Sequence, residues 1–264
     1  MSNIELDNLS FDQWVKFVFD HSLTEPPHGF PAGNLGWQVF RPSRTTILAG
    51  ILAKSAESHP EYLPILRPEM VPREIGAPWY WDAAWDEFWD QWAEKSDPQR
   101  QLYYATRLFR SPDFLLREYN PEQINQGLWL LLSGPTAFRL GDLIWSKKLS
   151  WRARKECILA MVNLFQSVFT KLPEQDICFM WWDELRDWDF REDRDPRVRD
   201  NMFQALSLIL KIPSTQCQMS ALHGLGHLDH PEKRKVIEDY LQQNPQLDTE
   251  IKKYTQAAIS GKVV

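Results

Sequence analysis

Residues 214–245 read STQCQMSALHGLGHLDHPEKRKVIEDYLQQNP, and the periodicity of this stretch decides the fold. Ser214 has the chemistry of an N-cap, and Cys217, Ala221, Leu225 and Leu228 recur every three or four residues along one helix face. The turn HLDHP follows, with Pro231 at an early helical position where its missing N–H costs nothing. Val236, Ile237, Tyr240 and Leu241 make a second stripe, which Asn244-Pro245 ends. Two helices joined by so short a turn are expected to lie antiparallel, each needing a neighbour for its other flank. That is the unit of a stacked helical solenoid.

Working outward, the same helical spacing recurs. Ser10 and Gln13 form a capping-box pattern ahead of Phe11, Trp14, Val15, Val18 and Phe19. Further helices are expected over 45–58, 79–92, 99–110, from 121 to the break at Ser133-Gly134-Pro135, 150–172, 176–185, 199–210 and around Leu247, Ile251, Tyr254 and Ala258. Two loops dense in proline, residues 24–42 and 59–78, separate the first helices. No run alternates as a strand bounded by hairpin turns does. The segments QINQGLWLLL near residue 123 and QMSALHGLGHL near residue 218 are alike, and their spacing fits two repeats of HEAT length. The expected architecture is all-α, HEAT-like stacked helical hairpins. It forms a single domain over 1–264, with a Trp- and Pro-rich part over 1–98 and a helical-repeat part over 99–264.

Length and composition narrow the function classes. A chain of 264 residues with 43% hydrophobic and 25% charged residues has an ordinary globular composition. Its net charge of −6 argues against nucleic acid, whose binding relies on Lys and Arg to displace counterions. The start MSNIELDNLS has neither the basic nor the apolar region of a signal peptide, and no apolar run has the length of a membrane span. Three widely spaced cysteines, Cys157, Cys178 and Cys217, fit free thiols in a reducing cytoplasm.

The segments SALHGLGHLDHPEKRKVIEDYLQQNPQL and YTQAAISGKV, with NPEQINQGLWLLLSG and CFMWWDEL upstream, resemble an uncharacterised group of bacterial all-helical proteins over roughly residues 105–264. The resemblance implies a HEAT-like helical repeat protein of bacterial type and transfers no catalytic residue.

Chemistry-bearing motifs are few. There is no nucleophile elbow, phosphate loop or dinucleotide fingerprint. His223 and His227, at i and i+4, share a helix face and with His230 could share a metal; the H-E-x-x-H base of a zinc hydrolase is lacking. On a helical wheel His223 points away from the Cys217/Ala221/Leu225 stripe, so these histidines are expected to cap and pack, with no metal or other cofactor. Gly224 and Gly226 are expected to allow close helix approach. The acidic connector of Asp183-Glu184, Asp187, Asp189, Glu192, Asp193 and Asp195 departs from an EF-hand loop; with five arginines over 186–199 able to pair with it, a solvated, salt-bridged loop is expected.

The most distinctive stretch is WYWDAAWDEFWDQWAEK, from Trp79. As a helix it sets Trp81, Trp85, Phe88 and Trp92 on one side and Asp82, Asp86 and Asp90 on another, beside Glu87. Between Asp82 and Asp97 stand six acidic residues and one lysine. Trp beside Asp offers a π-face and a carboxylate to a Lys or Arg side chain. The expected function is therefore a non-catalytic protein-binding module, an immunity-type inhibitor of a basic bacterial effector or toxin. Asp82, Asp86, Glu87, Asp90, Asp187, Asp189, Glu192 and Asp193 are the candidate contact residues. The alternative is a metal-dependent hydrolase at His223 and His227.

Overall fold

A computed structural model describes residues 9–20, 96–133, 139–172, 176–185 and 195–263, and every regular element among them is helical. The expected helices over 45–58 and 79–92 and both proline-rich loops lie outside the described residues. In chain order the helices are α1 (Phe11–Phe19), α2 (Pro98–Arg110), α3 (Pro121–Ser133), α4 (Leu140–Trp145) and α5 (Trp151–Leu164). After them come α6 (Asp176–Leu185), α7 (Pro196–Ile209), α8 (Thr215–His227), α9 (Lys233–Gln243) and α10 (Thr249–Ser260). A single π turn, Phe165–Phe169, prolongs α5, and a short turn of helix, Leu115–Glu118, precedes α3.

Local chemistry sets most of the starts. Gln13 N donates to Ser10 Oγ at 3.3 Å while Ser10 N donates to Gln13 Oε1 at 2.9 Å, closing the capping box expected for α1. Asn120 and Gln123 make the same reciprocal pair at the start of α3. Asp97, Ser150, Asp195 and Asp248 cap α2, α5, α7 and α10 through their side chains. Ser214 is different. It holds the N-cap place of α8, yet its hydroxyl makes no capping bond, and the Gln218 amide reaches back to Ile212 O instead.

The helices stack so that α5 lies between α2 and α7, while α8 lies against α6, α7 and α10. On the far side α1 rests on α3, and α3 on α6. Phe109, Phe165, Phe169 and Trp181 knit α2, α5 and α6 with ring centroids 4.8 to 6.2 Å apart, edge to face. The Trp14 indole donates to Gln101 Oε1 at 2.8 Å, tying α1 to α2.

The stretch that suggested a hairpin folds as two helices joined at Pro231, but they are not each other's main neighbours. α8 packs on α6 and α10, and α9 packs chiefly on α10. The reason lies in the circumference of α8. Every residue from Met219 to Gly226 is buried, so the helix has no solvent side for a single partner to leave open. Glycine makes this possible. A Cβ on Gly224 would stand 2.7 Å from Leu206 Cδ2 and 2.8 Å from Trp182 Cβ, and one on Gly226 would meet Val263. The close approach expected of both glycines is thus present. α9, with charged residues around most of its surface, buries only Ile237 and Tyr240.

Candidate functional site

Full burial of α8 also buries His223, which is 1% exposed. The sequence reading had it pointing away from the core; it does point away from the Cys217 stripe, but α6 and α10 cover that side as well. Its two ring nitrogens have different partners. Nε2 stands 3.0 Å from Asp183 Oδ2, in the last turn of α6, and Nδ1 stands 2.6 Å from the Tyr254 hydroxyl on α10. One turn along α8, His227 Nε2 lies 3.3 Å from the other carboxylate oxygen, Asp183 Oδ1. The two imidazoles meet edge to face with centroids 4.7 Å apart, and Phe179 closes over the His223 ring at 4.3 Å.

One carboxylate therefore receives two imidazoles, and a phenol backs the inner one. Burial, and after it the Asp183 charge, pushes the Tyr254 phenol well above its ordinary value, so the hydroxyl stays neutral beside His223. Access differs along the row. His223 and Asp183 are buried, whereas the His227 side chain is 19% exposed and forms the solvent side of the cluster. One ligand atom each from Asp183, His223 and His227 can be chosen so that all lie within 4.8 Å of one another.

His230 does not join them. It stacks on Phe203, nearly parallel with centroids 3.7 Å apart, beside Asp200. Burial lowers its pKa, which suits a packing role. The candidate contact residues Asp82, Asp86, Glu87, Asp90, Asp187, Asp189, Glu192 and Asp193 lie outside the described residues.

Sequence reasoning missed Asp183 and Tyr254 as members of the cluster. A signal was present for the first, since an acid inside the apolar run CFMWWDEL must find a buried partner. It also missed a second polar centre. Arg154, only 2% exposed in α5, donates to Asp195 Oδ2 at 3.0 Å and to Ile144 O at 3.2 Å. Arg197 grips the same carboxylate through Nε and a terminal nitrogen, each at 2.9 Å. Hydrogen bonds from Arg197 first, then from Arg154, hold the Asp195 carboxyl down at about 2. This centre pairs the Asp195 carboxylate with two guanidiniums and joins α5 to the start of α7.

A shallow groove of about 400 Å³ runs between α1 and α2, lined by Phe11, Tyr103, Arg107 and Phe114. Arg107 lies 4.0 Å over the Phe11 ring there, so its charge is already engaged with an aromatic face. Among the described residues no helix is long and apolar enough to cross a membrane. Comparison of the chain with known protein families, with curated proteins and with solved structures finds no match.

Proposed function

We propose that this chain is a non-catalytic, cytoplasmic protein-binding module of HEAT-like, bacterial type, whose acidic surface neutralises a basic partner such as an effector or toxin. The observation that carries the reading is the acidic tryptophan-rich stretch, with six acidic residues against one lysine between Asp82 and Asp97. The described helices support it by contrast. Their most buried charges close on one another, as in the Arg154–Asp195–Arg197 group, so the helical body serves as a scaffold. Carboxylates beside indoles are suited to Lys and Arg side chains, and opposite charge speeds encounter. Affinity capture from the native host, read by mass spectrometry and eluted with a salt gradient, tests the proposal. A basic protein leaving as salt rises is the expected result; a partner that is acidic, or that salt does not release, overturns it.

One observation favours a second reading, a metal-dependent hydrolase. Asp183 joins His223 and His227, completing a set of two imidazoles and a carboxylate of the kind hydrolytic metal sites use. Screening the zinc-loaded protein against ester and phosphodiester substrates decides it. Turnover that disappears in His227→Ala favours this reading, and its absence leaves the binding module.

A further inference from the structure

We infer that Asp183, His223 and His227 bind one divalent ion of the borderline class, for which zinc is the natural probe, and that this ion clamps α6 to α8. The inference does not depend on what the protein's partner is.

The first support is distance. Zinc holds imidazole nitrogen and carboxylate oxygen at about 2.0–2.2 Å, so neighbouring ligand atoms on a tetrahedral ion stand about 3.3–3.5 Å apart. His223 Nε2 stands 3.0 Å from Asp183 Oδ2 and His227 Nε2 stands 3.3 Å from the other oxygen, Oδ1. Each imidazole thus has one carboxylate oxygen at about the ligand-to-ligand spacing of such a tetrahedron. The three ligand atoms lie within 4.8 Å of one another, and rotation of the partly exposed His227 ring brings its nitrogen inward.

The second support is the outer shell. A metal-ligating histidine presents one nitrogen to the ion and donates the N–H of the other to a fixed acceptor, which sets the tautomer. His223 directs Nδ1 at the Tyr254 oxygen at 2.6 Å, leaving Nε2 for the ion. Tyr254 is buried and belongs to a different helix, so the inner ligand is aimed by α10 while α8 carries it.

The third is chemical type. Two imidazoles with one carboxylate suit zinc and its transition-metal neighbours better than magnesium or calcium, which prefer all-oxygen shells. His227, on the solvent side, gives an ion an entry path and leaves room for water to complete its shell. A metal-free cluster in which His223 Nε2–H donates to Asp183 Oδ2 is the competing state, so measurement must separate the two.

The full chain, stripped with a chelator and exchanged into metal-free buffer, is titrated with zinc chloride by calorimetry, and bound zinc is counted by elemental analysis after desalting. One equivalent is expected, with a rise of several degrees in Tm that the chelator reverses. His227→Ala, at the partly exposed position, keeps the helical circular dichroism and loses at least tenfold in zinc affinity, while His230→Ala binds as the parent does. Cobalt in place of zinc should give visible absorption typical of a low-coordinate nitrogen and oxygen site, absent in His227→Ala. Well under one equivalent of zinc in the folded parent overturns the inference. So does equal loss of binding in the His227 and His230 variants, which would place the ion elsewhere.

Discussion

Asp195 shows how much one side chain does here. Its carboxylate is 4% exposed and is held by two guanidiniums, one of them buried. Removing one partner of a buried pair strands the other charge, so Asp195→Ala is expected to cost about 3–5 kcal/mol in a denaturant titration. The same group predicts a pH effect. Its folded pKa of about 2 lies below the unfolded value of 3.8, so its contribution is complete above pH 4 and is lost as pH falls from there towards 2. That contribution is about 2 kcal/mol, and Asp195→Asn should flatten this part of the stability profile. The cysteines make a quieter prediction. Burial pushes the Cys157 thiol up to about 12 and Cys178 well above its ordinary value, and Cys217 is fully buried. A thiol reagent at pH 8 should label none of the three in the folded protein and all three after unfolding.

Among the elements, α8 carries the most consequence. Gly224→Ala would drive a methyl group against Trp182 and Leu206, so a loss of about 1–3 kcal/mol is expected from thermal or denaturant unfolding. A substitution that raised stability, as alanine for glycine does in an exposed helix, would show that α6 and α7 yield more easily than their packing implies. The example also marks what the sequence made legible. Caps written in adjacent residues, Ser10 with Gln13 or Ser150 before α5, could be read because donor and acceptor lie within one turn. The glycines of α8 could be read as contact points because nothing else explains two of them in a helix. The partners of α8 could not, since an apolar stripe reveals which face is greasy and says nothing of a covered opposite face. Nor could the π turn after Leu164 be foreseen, where the Gln216 amide, from α8, reaches the carbonyls of Phe169 and Leu172. The His–Asp–Tyr cluster stayed hidden for the same reason. Asp183 and His223 stand forty residues apart, and only packing of α6 against α8 makes them one site.

For the whole molecule the governing quantity is the distribution of charge. The net −6 is a modest sum, yet the run from Asp82 to Asp97 concentrates one sign within a few turns' length of chain. The helical spacing of the sequence sets Asp82, Asp86 and Asp90 apart from the aromatic stripe, so changing all three to Asn is expected to alter folding stability by only tenths of a kcal/mol. The triple variant should associate more slowly with a basic partner and show a flatter dependence on ionic strength, as stopped-flow mixing across a salt series would reveal. Unfolding of that variant would mean the aspartates are structural. The electrostatic clasp at Asp195 has a final consequence, one of evolvability. It pins the chain where α7 begins, while the Trp145 indole, donating to Leu185 O at 2.9 Å, pins it where α6 ends. The residues that flank the acidic run 186–194 are thus both anchored by named bonds. Substitutions confined to that run leave both anchors untouched, so lineages can vary it while inheriting the same helical frame.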